Sequence, residues 1–184
     1  MLPWIRTRRR TILADQWICL HADECQLPTG ALLDPYYVLE EKEWVHVIAL
    51  NQNDEILLIR QYRYAANIFA TELPGGFVDS GETPLDAAKR ELAEETGHTS
   101  LDWTPLPALF VNPARQTNRV HSFIARNVRP TQNAAPEPSE SIISIEFATA
   151  AEVIRRIHSA EFSQALHVAS FHLALQHTGH FAPA

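Results

Sequence analysis

Two runs of β-branched and aliphatic residues, 44–50 and 55–62, flank the polar stretch Asn51-Gln52-Asn53-Asp54, a pattern that predicts two strands paired as a hairpin. Upstream, strands are expected over 11–20 and 36–40, separated by the turn-forming Leu27-Pro28-Thr29-Gly30 and forming a small sheet of their own. Downstream, a helix is predicted over 84–96, short strands near 108–111, 120–125 and 142–147, and helices over 150–157 and 163–176. The stretch from Pro130 to Pro138, rich in proline, alanine and polar residues, reads as a loop. Mixed strands with a few helices and no regular βαβ alternation imply an α+β layered domain and not a doubly wound sheet.

The helix over 84–96 is the best specified element. Thr83 suits the cap, Pro84 the first helical position, and Asp86 the third position of a capping-box-like start, while Gly97 supplies the stop. At 100° per residue, Leu85, Ala88, Leu92 and Thr96 form one stripe that should face the core. Glu91, Glu94 and Glu95 gather on a second face, where like charges oppose one another. An isolated Glu-x-x-Glu-Glu is usually a solvated acidic surface. A hard divalent cation with oxygen ligands turns the same cluster into a binding site. Just upstream, Glu72-Leu73-Pro74-Gly75-Gly76 reads as a strand end entering a glycine loop whose backbone can approach a metal or phosphate closely.

A length of 184 residues suits one domain with a small appendage, divided here into an N-terminal β subdomain over 1–42 and a main domain over 43–184. The formal net charge of −7 argues against broad capture of nucleic acid, but not against small phosphorylated ligands held by a few local arginines. No run of about 18 apolar residues suggests a membrane span. Arg6, Arg8, Arg9 and Arg10 are not followed by the apolar segment of a secretory signal, so a cytoplasmic location is expected. Cys19 and Cys25 cannot build a disulfide framework and are read as free thiols.

From Gly75 the chain reads GGFVDSGETPLDAAKRELAEETG, with Gly76, Glu82, Arg90, Glu91, Leu92, Glu94, Glu95 and Gly97 at fixed spacings. This arrangement resembles the signature of the Nudix hydrolases; His98, where relatives carry an aliphatic residue, departs from it. The resemblance implies a Nudix-type α/β/α sandwich with a mixed β-sheet behind the N-terminal β subdomain. It also implies Mg²⁺ or Mn²⁺ held by Glu91, Glu95, the Gly75 carbonyl and Glu94, with Arg90 and Glu82 orienting the cluster and Gly76 close to substrate. For the general base, Glu140 ranks first and Glu137 second, with the signature helix itself also open.

Gln61-Tyr62-Arg63, and Pro113 placed 16 residues after Gly97, resemble the ADP-ribose pyrophosphatase and nucleoside diphosphate sugar hydrolase branch, in which Arg63 would meet a phosphate. Arg115, Asn118 and Arg119 stand where that branch often carries an acidic residue, so GDP-mannose or another NDP-sugar remains an alternative substrate. The supply of aromatics for stacking on a base is Trp4, Trp17, Tyr36, Tyr37 and Trp44. The expected partner is a small nucleoside diphosphate, and the expected assembly is a homodimer formed through the N-terminal sheet. A non-catalytic nucleotide-sugar sensor is the competing class, opposed by the intact acidic cluster. An isoprenoid diphosphate isomerase is disfavoured because neither cysteine lies near the motif.

Overall fold

The computed structural model describes residues 2–136 and 142–179, apart from the side chain of Ile143. The chain divides into two units, one comprising Met1–Lys42 with Phe110–Arg119, the other Glu43–Leu109 with Val120–Ala184. The first unit thus takes in a segment that a division at Lys42 leaves with the second.

In the first unit, β1 (Ile5–Ala14), β2 (Cys19–Gln26) and β3 (Leu32–Glu40) form an antiparallel sheet in that order. The single strand expected over 11–20 is in fact broken by a turn. Asp15 Oδ1 accepts the amides of Trp17 and Ile18 at 2.7 and 2.9 Å, a local bond that competes with strand pairing. The arginine run of β1 faces acids across the sheet: Arg8 pairs with Glu24 and Asp34, and Arg9 grips Asp23 through two bonds of 2.8 Å. The 110–119 segment is fastened to this unit by the Leu39 amide, which donates to the Arg115 carbonyl at 2.7 Å, and by the Tyr36 hydroxyl, which donates to Ala114.

The second unit holds β4 (Trp44–Ala49), β5 (Ile56–Arg63), β6 (Ile68–Glu72), β7 (Gly75–Phe77), α1 (Pro84–Thr96), β8 (His98–Thr99) and β9 (Asp102–Pro105). Then come β10 (Leu109–Phe110) and β11 (Arg119–Arg126), of which Phe110 and Arg119 count with the first unit, followed by β12 (Arg129–Pro130), β13 (Ile142–Ala148), α2 (Ala150–His158) and α3 (Ala165–Thr178). One sheet runs β10-β11-β4-β7, with β9 also on β11; another runs β13-β5-β6, and β12 pairs with β8. The β11–β4 ladder is parallel and β4–β7 antiparallel, so the sheet is mixed as expected.

The expected hairpin between β4 and β5 is corrected. The turn forms, with the Asn51 amide donating to the Glu55 carbonyl at 3.0 Å, but the two strands lie in different sheets and share only the Leu50–Ile56 bridge. The physical reason is burial on both faces. Val45, Val47 and Ala49 of β4 join Leu57 and Ile59 of β5 and Ala87, Ala88 and Leu92 of α1 in one core. Ile48 and Leu50 join Ile56 and Leu58, together with Val153 of α2 and Phe171, Ala174 and Leu175 of α3, in another. Alternation along each strand therefore feeds two cores, with α1 in one and α2 and α3 in the other, which is the expected α/β/α sandwich.

Helix α1 begins and ends where the caps predicted. Thr83 accepts the Asp86 amide, Pro84 opens the first turn, and Gly97 closes the helix at φ 71°. A side chain at Gly97 would strike the carbonyl oxygen of Gln132, so the left-handed exit and the close approach both require glycine. Of the expected core stripe, Ala88, Leu92 and Thr96 are buried and Leu85 packs half-buried against the same core, and Glu91 and Glu95 are buried as well. Replacing the cap by Thr83→Ala should cost about 0.5–2 kcal/mol in urea unfolding with an unchanged m-value; no loss of stability would refute the capping role.

Candidate active site

The site is built on β7 and α1. The two glycines expected in a loop form an edge strand, in which His46 pairs with Gly75, Val45 with Gly76 and Trp44 with Phe77. A side chain at Gly76 would occupy the place of the Glu91 carboxylate, so the bare strand lets the helix lay that group across it. Glu95 lies one turn further on and its Oε2 accepts the Gly75 amide at 2.8 Å. Glu91 is 6% exposed and Glu95 1%.

Arg90 ties the cluster together. Its Nε and Nη2 donate to the two oxygens of Glu82 at 3.0 Å each, and Nη2 also donates to the Phe77 carbonyl at 3.0 Å. Its Nη1 donates to Glu91 at 2.9 Å and to Glu94 at 3.1 Å. All five N–H bonds of the guanidinium are thereby engaged. Glu82 also closes its own turn, accepting the Asp79 amide at 3.1 Å, and Arg90 holds its carboxyl below the usual range. The same bonds to Glu82 raise the guanidinium above its ordinary value. The guanidinium thus faces the carboxyls of Glu82, Glu91 and Glu94, with Glu95 next to them on the helix. Hard carboxylate oxygens gathered on one helix face, with Glu91 and Glu95 buried, are a donor set that fits a hard divalent cation.

The structure brings Gly75, Gly76, Glu82, Arg90, Glu91, Glu94 and Glu95 to one place. Arg63 meets a carboxylate in this structure: Nε and Nη2 grip the buried Glu72 at 3.1 and 2.6 Å, with Gln61 donating to the same group at 3.1 Å. Asn118 departs from its expected role. It is buried in the first unit and its amide nitrogen donates to the Lys42 carbonyl at 2.9 Å, so it fastens the chain there. Arg115 is exposed on the first unit, while Glu140 and Glu137 lie outside the described residues. His98 bonds the Thr96 carbonyl through Nδ1 at 2.8 Å, a role at the helix exit.

Sequence reasoning missed the polar cluster behind the glycine strand. Gln61 and Arg63 stand two apart on β5, hence on one face, and this polar pair after apolar Ile59 was the available signal. His46 and His167 are buried and stacked, ring centroids 3.9 Å apart. His46 Nδ1 lies 2.9 Å from Ser170 Oγ, and His167 Nδ1 accepts the Leu73 amide at 3.0 Å. Burial, with the Arg63 charge adding to it, pushes His167 down to about 3; burial and the neighbouring ring push His46 well below its ordinary value.

Comparison with known proteins bears on this geometry. The NUDIX domain matches residues 42–168, and the nucleoside diphosphate sugar hydrolase N-terminal domain matches residues 4–39. The chain belongs to the Nudix family. Among Nudix relatives, an ADP-ribose pyrophosphatase of Bacillus subtilis (strain 168) is 24% identical over 83% of this chain and 82% of its own length. An ADP-ribose pyrophosphatase of Mycobacterium tuberculosis is 28% identical over 82% of this chain and 72% of its own. The methanol dehydrogenase activator of Bacillus methanolicus is 25% identical over 90% and 92%. The crystal structure of an ADP compounds hydrolase superposes with a TM-score of 0.85 over 97% of both chains at 21% identity, which establishes the Nudix fold.

The histidines make a pH prediction. A base whose folded value lies near 3 binds its proton more readily unfolded, where the value is about 6.5, so its contribution to stability is complete above about pH 6.5. Denaturant unfolding should therefore show stability falling from pH 6.5 to 5, before carboxylates titrate, by up to about 1.4 kcal/mol per pH unit for each such histidine. His167→Gln should flatten that slope, and a wild-type profile flat across the window would refute neutral burial.

Proposed function

We propose that the chain hydrolyses the diphosphate linkage of ADP-ribose or a related nucleoside diphosphate sugar, yielding a nucleoside monophosphate and a sugar phosphate. The observation that carries this reading is the Arg90-bonded cluster of Glu82, Glu91 and Glu94, with Glu95 beside it on α1 and bonded to the Gly75 amide of β7. Its attachment to a segment matched by the nucleoside diphosphate sugar hydrolase N-terminal domain, and the names of the relatives, support the substrate class.

In this reading Glu91, Glu95, Glu94 and the Gly75 carbonyl hold Mg²⁺, with Mn²⁺ able to replace it because both take oxygen ligands. When bound, such ions neutralise the diphosphate oxygens and lower the pKa of the attacking water. Arg90 holds Glu91 and Glu94 in register, and Glu82 holds Arg90. Water adds at one phosphorus, the anhydride bond breaks, and each product leaves as a monoester. Arg63 is positioned by Glu72 with 41% of its side chain exposed, leaving surface for a phosphate.

A panel of nucleoside diphosphate sugars assayed with and without Mg²⁺ should show Mg²⁺-dependent monoester production, greatest with ADP-ribose or a close NDP-sugar. Glu95→Gln should lower turnover beyond the roughly hundredfold typical of residues that only support a ligand, while keeping the thermal midpoint. Wild-type rates in that variant would reject the site, and no turnover of any panel member would favour a sensor.

The reading includes a cytoplasmic homodimer. Trp4, Ile5, Ile12, Leu13, Leu32 and Tyr37 leave large apolar side chains exposed on the first unit, and a second copy covering part of that surface would remove them from water. Light scattering should give twice the chain mass of 20.7 kDa at micromolar concentration, and a single-chain mass would exclude the dimer.

A further inference from the structure

The N-terminal sheet carries a second cluster of ligating groups. Cys19 and His21 stand two apart on β2 and so share a face. The β2–β3 register sets Glu40 opposite Cys19, and the β1–β2 register sets Thr11 opposite His21. The consequence is a convergence on one atom: His21 Nε2 lies 3.3 Å from Cys19 Sγ and 3.0 Å from Glu40 Oε2. All three ligand atoms lie within 4.8 Å of one another.

We propose that Cys19, His21 and Glu40 form a zinc-binding site, distinct from the carboxylate cluster on α1. A thiolate, an imidazole nitrogen and a carboxylate oxygen are the donor types that Zn²⁺ takes, with the remaining tetrahedral position open to water. Bond lengths of about 2.3 Å to sulfur, 2.05 Å to nitrogen and 2.0 Å to oxygen give tetrahedral edges of about 3.6 Å between sulfur and nitrogen and about 3.3 Å between nitrogen and oxygen. The observed separations are within about 0.3 Å of these, so a small outward shift of two side chains admits the ion.

Two further features favour a metal over a hydrogen-bonded relay. In a Cys–His–carboxylate nucleophile the thiol and the acid engage opposite ring nitrogens. Here both meet Nε2, which can serve only one of them with its single proton or lone pair. The other nitrogen, Nδ1, lies 3.2 Å from Thr11 Oγ1, the kind of contact that orients a metal-bound imidazole. His21 is 7% exposed, so its ring is held by packing, while Glu40 is open enough to admit an ion. Arg9, 3.6 Å from Glu40, is committed to Asp23 through two shorter bonds. Thiolate and carboxylate together neutralise the dication, and binding releases the thiol proton to solvent.

The test is titration of the full chain with Co²⁺, followed by competition with Zn²⁺. One equivalent should produce a thiolate-to-cobalt charge-transfer band that Zn²⁺ abolishes, with one proton released per ion. The band should be absent in Cys19→Ser, retained in Cys25→Ser and in Glu95→Gln, and formed with about tenfold to hundredfold weaker affinity in Thr11→Val. Glu40→Gln, which changes only a half-exposed side chain, should also weaken binding at least about tenfold. Cobalt bound without a thiolate band, or a band lost in Cys25→Ser and kept in Cys19→Ser, would overturn the site.

Discussion

The Arg90 guanidinium is the constraint around which the rest of the second unit is arranged. Its five donors reach a turn acid, a strand carbonyl and two helix acids, so the edge strand β7, the turn at Asp79–Glu82 and helix α1 share one fastening. A lysine could carry the charge, but a point charge cannot hold four groups in fixed directions as a planar fork can. The carboxylates repel one another, and without such a tie the helix face would splay or protonate. Geometry is thereby set in advance of any ligand, which is what a site for charged phosphates demands.

The fold supplies the platform beneath that tie. Strand β4 sends alternate side chains into two cores and pairs along its edge with β7, so the glycine strand is anchored to a strand that is itself packed on both faces. The buried Glu72, held by Arg63 and Gln61, lies three residues before Gly75, and His167 reaches from α3 to bond the intervening Leu73 amide. Polar groups from β5, β6 and α3 therefore secure the entry to β7, as Arg90 secures its exit at Phe77.

How much of this was legible in the sequence follows from the range of each interaction. Helix α1 and its caps were readable because Thr83, Pro84 and Asp86 at one end and Gly97 at the other each act within a few residues of the end they cap. The carboxylate face followed from helical spacing and gained its meaning from the fixed distances to Gly76 and Glu82. The partnering of β4 and β5 was not readable: a polar turn between apolar runs describes a hairpin, and only the assembled cores show why the strands separate. Nor was the fate of Asn118, whose partner is Lys42, or the pairing of His46 with Ser170, 124 positions apart. Side chains that meet across such spans leave no periodic trace.

The burial of Glu91 and Glu95 makes each acid answerable to a neighbour. Arg90 donates to Glu91 and the Gly75 amide donates to Glu95, so truncating either side chain strands a donor, whereas an amide of the same shape still offers an oxygen to accept it. Charge and shape at these two positions are therefore separable: the acceptor oxygen keeps helix and glycine strand together, and the negative charge is what a cation would take up.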